Sequence, residues 1–435
     1  MIRLLETATD GAARVLSALT RRPDEAGEEV LGQVRAIVEE VRRRGDQALL
    51  EFTKRFDGVA LEPRELAVSA EEWADATRAL EPALAEALET AARRIEAFHR
   101  HQLPRSWWVR DEHGSLLGQQ VTPLDRVGCY IPGGSAAYPS TVLMSVIPAR
   151  VAGVREIVLA TPPGPDGRAS PAVLAAARLA GVQEAYKMGG AQAIAALAYG
   201  TESIRPVDKV VGPGNLYVAL AKRLVFGRVG IDLIAGPSEV VVVADESAEA
   251  AWVAADLLAQ AEHDPLARAV CLTPSRALAE AVRTEAARQL PALPRRAIAA
   301  QALAEHGAVV LTRDLAEAVE LANGLAPEHL ELLVADPFAW LGRVRHAGAI
   351  FLGRHTPEVV GDYVAGPNHV LPTAGTARFA SALSVEEFVK RSSVIHYSPA
   401  GLRTAWPHLA VLADAEGLRA HREAARIRLD REARD

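Results

Sequence analysis

Cysteine is nearly absent from this 435-residue chain: there are two, Cys129 in GCYIPGG and Cys271 in AVCLTP. Each falls in an apolar, strand-like stretch, so a disulfide framework is not expected and a reducing compartment, the cytoplasm, is. No apolar run approaches the roughly 18 to 20 residues that cross a bilayer. The opening MIRLLETATDG lacks the basic segment, apolar core and small-residue cleavage site of a leader, so the expectation is a soluble protein. Positive charge is also scarce: 48 Lys and Arg against 55 Asp and Glu leave a formal charge of −7, which argues against nucleic acid or an anionic membrane as the partner. Low-complexity segments, a short-period repeat and the G-x-G-x-x-G fingerprint are all missing. What is present is an ordered composition, 49% hydrophobic and 24% charged, in a chain too long for one ordinary core.

The first hundred residues read as helical. Val30, Val34, Ile37, Val38 and Val41 recur at helical spacing before a stop at Gly45, and Ser69 with Glu72 forms a capping-box signal ahead of an Ala-rich region reaching His101. SWWVRD, EHG and SLLGQQVTP read as strand, turn and strand. From Asp125 short apolar runs alternate with Ala-rich segments, predicting helices near 140–152, 170–180, 191–199 and 215–226. After Ser247 the same rhythm resumes. It is a βαβ rhythm, so two α/β units in tandem, each with a parallel sheet, are expected. A charged helix from about Leu418 to Ala433 closes the chain and suits packing on a partner better than forming a core.

Several stretches could carry chemistry. IPGGSAAYPS, MGGAQAIAA and GPGNLYVA are Gly-rich turns after predicted strands, where backbone N–H groups at a helix start can approach an anion. They are equally compatible with ordinary βα loops. On the helix AAWVAADLLAQAEHD, Asp256, Gln260 and His263 fall within about 60° of arc, one polar stripe on an apolar helix. Gln260 and His263 could grip one metal ion, or simply form a solvated face. Asp362 and His369 sit in the Gly/Pro-rich EVVGDYVAGPNHVLPT after the strand AIFLG, and loops at the carboxyl ends of parallel strands are where α/β proteins place ligands. Glu416 and His421 are five apart, about 140° on one continuous helix, so they share a site only if the helix begins near Gly417. In APEHLELL, Glu328 and His329 open a segment whose alternation fits a half-buried strand, with a solvated edge as the plain alternative.

In order along the chain, VGCYIPGGSAAYPSTVLM, MGGAQAIAALAYGT, VDKVVGPGN, AGPSEVVVVAD, DLLAQAEHD, APEHLEL, GDYVAGPNHVLPT and EGLRAH resemble histidinol dehydrogenase, over roughly residues 28 to 430. The resemblance implies two incomplete Rossmann-like parallel-sheet domains of the aldehyde-dehydrogenase-like class, with small extensions packing on a partner subunit. The division it suggests is 1–27 as a helical extension, 28–129 with 238–383 as the metal and catalytic domain, 130–237 as the NAD side, and 384–435 as a tail serving the partner's site. It implies NAD-dependent oxidation of L-histidinol through the aldehyde to L-histidine by a homodimer with shared active sites, using NAD and one zinc per site. Gln260, His263, Asp362 and His421 look like the metal ligands, with His421 lent by the neighbouring subunit. That donor set does not by itself separate zinc from manganese or cobalt. Glu328 and His329 resemble the catalytic pair, Ser238, His369 and Glu416 further substrate contacts, and Tyr130, Gln192 and Asn215 the NAD contacts. Substrate contacts are also implied for Gln260, His263, His329, Asp362 and His421.

Two rivals remain at this stage. A metal-dependent hydrolase would use the Glu-His pair with a bound water but has no need of three Gly-rich turns; a catalytically silent scaffold would not have kept every expected polar position. A thiohemiacetal on Cys129 is disfavoured because no His or Asp lies beside it in the sequence to activate it.

Overall fold

The βαβ rhythm resolves into two parallel sheets in the computed structural model, which describes residues 2–20, 28–133 and 137–432. Residues 134–136 of the first Gly-rich turn, 21–27 of the expected N-terminal extension and Ala433, the expected end of the closing charged segment, lie outside the described residues. The strands run β1 (Arg3–Glu6), β2 (Trp107–Arg110), β3 (Leu116–Pro123), β4 (Arg126–Tyr130), β5 (Glu156–Thr161), β6 (Glu184–Lys187), β7 (Lys209–Val211), β8 (Gly230–Ile231), β9 (Glu239–Ala244), β10 (Arg268–Thr273), β11 (Ala308–Leu311), β12 (His329–Leu333), β13 (Ala349–Leu352) and β14 (Val389–His396). Two compact units result. The larger joins Met1–Gln102 to Leu124–Phe388, and the smaller joins Leu103–Pro123 to Val389–Asp435.

Within the larger unit one sheet has the order β6-β5-β4-β7-β8 and the other β1-β11-β10-β9-β12-β13. Counted from its own first βαβ strand, each sheet reads 3-2-1-4-5, with β1 added at the edge of the second. That is the order of a Rossmann fold one strand short, and it puts a topological switch point between β4 and β7 and another between β9 and β12. Central strands of a parallel sheet are covered on both faces and so read as continuous apolar runs. EVVVVA of β9 and RAVCLT of β10 are buried at every residue.

The N-terminal helices form as expected but pack elsewhere than expected. Glu28–Arg44 buries Val34, Ile37, Val38 and Val41 as its periodicity requires, and the Ser69–Glu72 capping box forms, with bonds of 3.0 and 3.1 Å. The helical region to His101 is divided in two, Ala70–Arg78 and Pro82–Arg100, with Pro82 opening the second at its first turn, where proline is tolerated. These helices pack on the β4–β8 sheet rather than on the sheet carrying residues 239–352: Val34, Val38 and Leu49 share a core with Tyr130 and Ile194, and Leu88 and Ile95 share one with Val127 and Met144. The boundary at 129/130 also falls inside β4. Conversely, residues 3–6, read as helical, pair with β11 and extend the other sheet.

The smaller unit holds the antiparallel sheet β14-β3-β2 and the helices Pro399–Ala415 and Arg419–Glu432. The expected WWVR hairpin forms, and β14 adds to its far edge.

One buried ion pair fixes the GPGN turn. Lys222, in the helix Leu216–Val225, pairs with Asp232, and both side chains are almost fully buried. Lys222 Nζ donates to Gly212 O at 3.0 Å and Gly212 N donates to Asp232 Oδ2 at 2.8 Å, so the pair clamps one residue from both of its backbone groups. Gly212 has φ +114°, and a Cβ there would lie 2.1 Å from Tyr130 O, so no other residue fits. Lys222→Met strands Asp232 without its counter-charge and is expected to cost about 3–5 kcal/mol, measured as a lower urea midpoint. An unmoved midpoint would show that the pair carries no stability.

Candidate active site

Strands β9 and β12 lie side by side, with His329 opposite Val240. At their starts the chain supplies Ser238 and Glu239 on one side and Glu328 on the other. The catalytic candidates thus gather at the amino ends of these strands, not at the carboxyl ends where such residues are usual. The reason is the path of the chain. The helix Ala250–Ala261 runs back antiparallel to β9 and delivers Gln260 and His263 to that edge, and Glu358–Tyr363, following β13, returns Asp362 to it. A helix carboxyl end carries partial negative charge, a favourable setting for a cation.

His329 and Glu331 are buried, as is all of β12, so neither a half-buried strand nor a solvated edge describes it. His329 Nδ1 lies 3.1 Å from Glu239 O and 3.2 Å from Gln260 Oε1. A carbonyl can only accept, so Nδ1 carries the proton and Nε2 is left with a free lone pair. Nε2 is 4.0 Å from Asp362 Oδ1, and Nδ1 is 3.8 Å from Glu328 Oε2 and 3.6 Å from Glu358 Oε1. Burial pushes the His329 pKa down to about 4, so the ring is neutral at neutral pH.

Glu328 is set by the turn before it. Ala326, which ends the helix Leu315–Leu325, is non-glycine at φ +48°, a strained conformation of the kind that collects at functional sites. Glu328 O accepts from Ala349 N at 2.8 Å, and Glu328 Oε2 accepts from Glu239 N at 2.9 Å. Burial, with Glu239 and Asp362 nearby, raises its pKa well above the usual carboxylate range, although the Glu239 N–H and the Ser238 hydroxyl oppose that.

His263, Glu358 and Asp362 offer ligand atoms all within 4.8 Å of one another. Glu358 was not among the sequence candidates. Its spacing of four from Asp362 on one short helix was the available signal, since i and i+4 share a face. Gln260 is fully buried beside them, and its Nε2 has no partner among the described residues. Asp256, the third member of the expected stripe, turns instead to Glu331: the two side chains hydrogen-bond, and burial pushes Asp256 up to about 6. Glu331 Oε1 also accepts from Glu358 N at 2.8 Å. His369 Nδ1 donates to Asp362 O at 2.8 Å, and its Nε2 is 3.2 Å from Thr141 Oγ1, so it braces the Asp362 segment.

A second cleft, of about 1380 Å³, opens at the carboxyl ends of β4–β7 and is lined by Tyr130, Gln192 and Asn215 together. Tyr130 OH accepts from Gly190 N at 3.1 Å, and Gln192 is buried with Nε2 unpartnered among the described residues. Asn215 caps the helix Leu216–Val225, its Oδ1 accepting from Val218 N at 3.2 Å. Glu416 and His421 belong to the smaller unit, where both are exposed. Gly417 at φ +70° separates their helices, which meets the condition set by their spacing. Cys129 is fully buried inside β4 and burial pushes its thiol up, leaving no thiolate for a covalent route.

Two switch-point sheets with polar side chains collected at their strand ends define an α/β enzyme. The histidinol dehydrogenase family profile matches residues 20–429. The chain is 54% identical over 428 residues to the histidinol dehydrogenase of Synechococcus sp., covering 98% of this chain and 99% of that one. It is 58% identical over 412 residues to that of Geobacillus kaustophilus, covering 94% and 97%. Histidinol dehydrogenase from Elizabethkingia anophelis superposes with a TM-score of 0.93 at 36% identity over 99% of both chains. The chain belongs to the histidinol dehydrogenase family, which sets aside the hydrolase and scaffold readings. No described helix is long and apolar enough to cross a membrane.

Proposed function

We propose that this chain oxidises L-histidinol through the aldehyde to L-histidine with NAD, as the last steps of histidine biosynthesis, in a homodimer whose two active sites share residues. The observation that carries the reading, beyond family membership, is the neutral His329 with its Nε2 lone pair free, held beside a buried Glu328 and a cluster of metal-type donors. The donor set fits a divalent ion: an imidazole and two carboxylates converge, and the buried Gln260 amide lacks a partner. Gln260, His263 and Asp362 would hold the ion, with His421 supplied by a second copy and zinc as the expected metal; Glu358 stands close enough to serve as a further donor. When bound, the ion positions the substrate's nitrogens and NAD accepts the hydride.

The chain's own residues do the rest. As hydride leaves the carbinol carbon, His329 Nε2 takes the alcohol proton, and the imidazolium is held in place through Nδ1 by Glu239 O. The aldehyde must then be hydrated, and Glu328 takes the proton from the attacking water. The burial that raises its proton affinity also makes its carboxylate a stronger base. His329 serves the second oxidation as it served the first. Ser238, His369 and Glu416 complete the substrate contacts, and Tyr130, Gln192 and Asn215 line the NAD cleft.

Metal-replete protein given histidinol and NAD is expected to produce reduced nicotinamide in twofold molar excess over histidinol. Chelation is expected to abolish this while far-ultraviolet circular dichroism stays unchanged, since the ligands gather at strand ends rather than within the apolar cores. A flat absorbance trace from metal-loaded protein would overturn the function, and a large loss of helical signal on chelation would overturn the positioning role of the metal.

A further inference from the structure

The end of the helix Asp46–Phe56 holds a carboxylate that the mechanism above does not use. Asp57 lines the second cleft, and its backbone N–H closes the helix by donating to Thr53 O at 2.9 Å. Its Oδ2 is buried yet has no hydrogen-bond partner among the described residues. Its Oδ1 faces the start of the helix Gly190–Tyr199, where a Cβ added to Gly189 would meet it at 3.2 Å. Ile37, Phe52 and Phe56 add apolar side chains to the lining of the same cleft.

A carboxylate can only accept hydrogen bonds, so the group it awaits is a donor and is not an anion. A flat base suits the apolar side chains, and a pyrophosphate suits the Gly-rich helix start. Asp57 adjoins both, following Phe56 in the chain and facing Gly189 with its Oδ1, as the ribose adjoins base and pyrophosphate in an adenine dinucleotide, and a vicinal diol offers two donors to two carboxylate oxygens. We infer that Asp57 accepts the hydroxyls of the adenosine ribose and thereby selects NAD over NADP. The same role is common for an acidic residue after the second strand of a complete Rossmann fold; here it comes from a helix outside the sheet. Burial pushes Asp57 up to about 6, which still leaves it ionised at neutral pH. A 2′-phosphate would meet that charge directly.

This inference rests on the NAD reading of the cleft, and direct binding separates the two. By calorimetry, native protein is expected to bind NAD at least ~10-fold more tightly than NADP, and at least ~10-fold more tightly than NAD lacking the adenosine 2′-hydroxyl, as loss of a bond to a charged acceptor predicts. Asp57→Asn keeps shape and volume but removes the charge. It is expected to weaken NAD by about 10-fold and to reduce the NAD:NADP preference by a similar factor. If the deoxy analogue binds native protein as well as NAD does, or if the preference survives in Asp57→Asn, the role is overturned, although histidinol oxidation stands. If native protein binds no NAD and makes no reduced nicotinamide, the cofactor reading itself fails. The deoxy measurement needs no variant, so it can overturn the role even if Asp57→Asn is unstable.

Discussion

Glu328→Gln is expected to slow the conversion of the aldehyde to the acid by about 10²–10⁴-fold, the usual worth of a positioned general base, and to slow the alcohol step far less. Glutamine keeps the acceptor that meets Glu239 N at 2.9 Å, so the turn set by Ala326 and Pro327 has no cause to move. What it loses is basicity. The alcohol step draws on His329 Nε2 alone, and His329 is held by Glu239 O and Gln260 rather than by Glu328, which stands 3.8 Å from its Nδ1. The measurement is a pair of single-turnover rates, one begun from histidinol and one from the aldehyde. Equal slowing of both would mean that Glu328 has no separate part in hydrating the aldehyde and acts through structure.

The elements most legible in the sequence were those whose periodicity is set locally. The helix Glu28–Arg44, the Ser69 capping box and the runs EVVVVA and RAVCLT all declare themselves within a few residues. What stayed hidden depends on distant partners. Arg3–Glu6 is a strand only because β11 is there to pair with it. The alternation in HLELL suggested one wet face, yet His329 and Glu331 are both buried, because Gln260, Asp256 and Glu358 arrive from other helices to receive them. The amino-edge position of the catalytic cluster could not be read from spacing, since it follows from the direction in which two helices return. Glu358 opens the stretch EVVGDYVAGPNHVLPT and Asp57 lies in no motif, but each matters only through what the fold sets beside it.

His421→Ala and His329→Asn are each expected to lose activity by at least ~10²-fold as pure proteins, no less than the loss of an outer-shell residue around a metal, yet to recover activity when mixed. The reasoning starts from exposure. Gln260 is fully buried beside Asp362 and His263, whereas His421 and Glu416 are exposed on the smaller unit. That unit also leaves Trp107, Trp108, Ile395, Val411 and Leu412 more than half exposed, more large apolar surface than a solitary unit usually leaves open. In the proposed homodimer a second copy receives His421 in its own site. In a mixed dimer, the His421→Ala chain supplies an intact His329 and receives the other chain's intact His421, so one site of the two is complete. The companion site carries both defects and stays silent. Subunits exchanged under mild denaturant and then returned to native conditions should therefore show a rate well above either parent. A mixture no more active than its parents would place His421 in the site of its own chain, or in none.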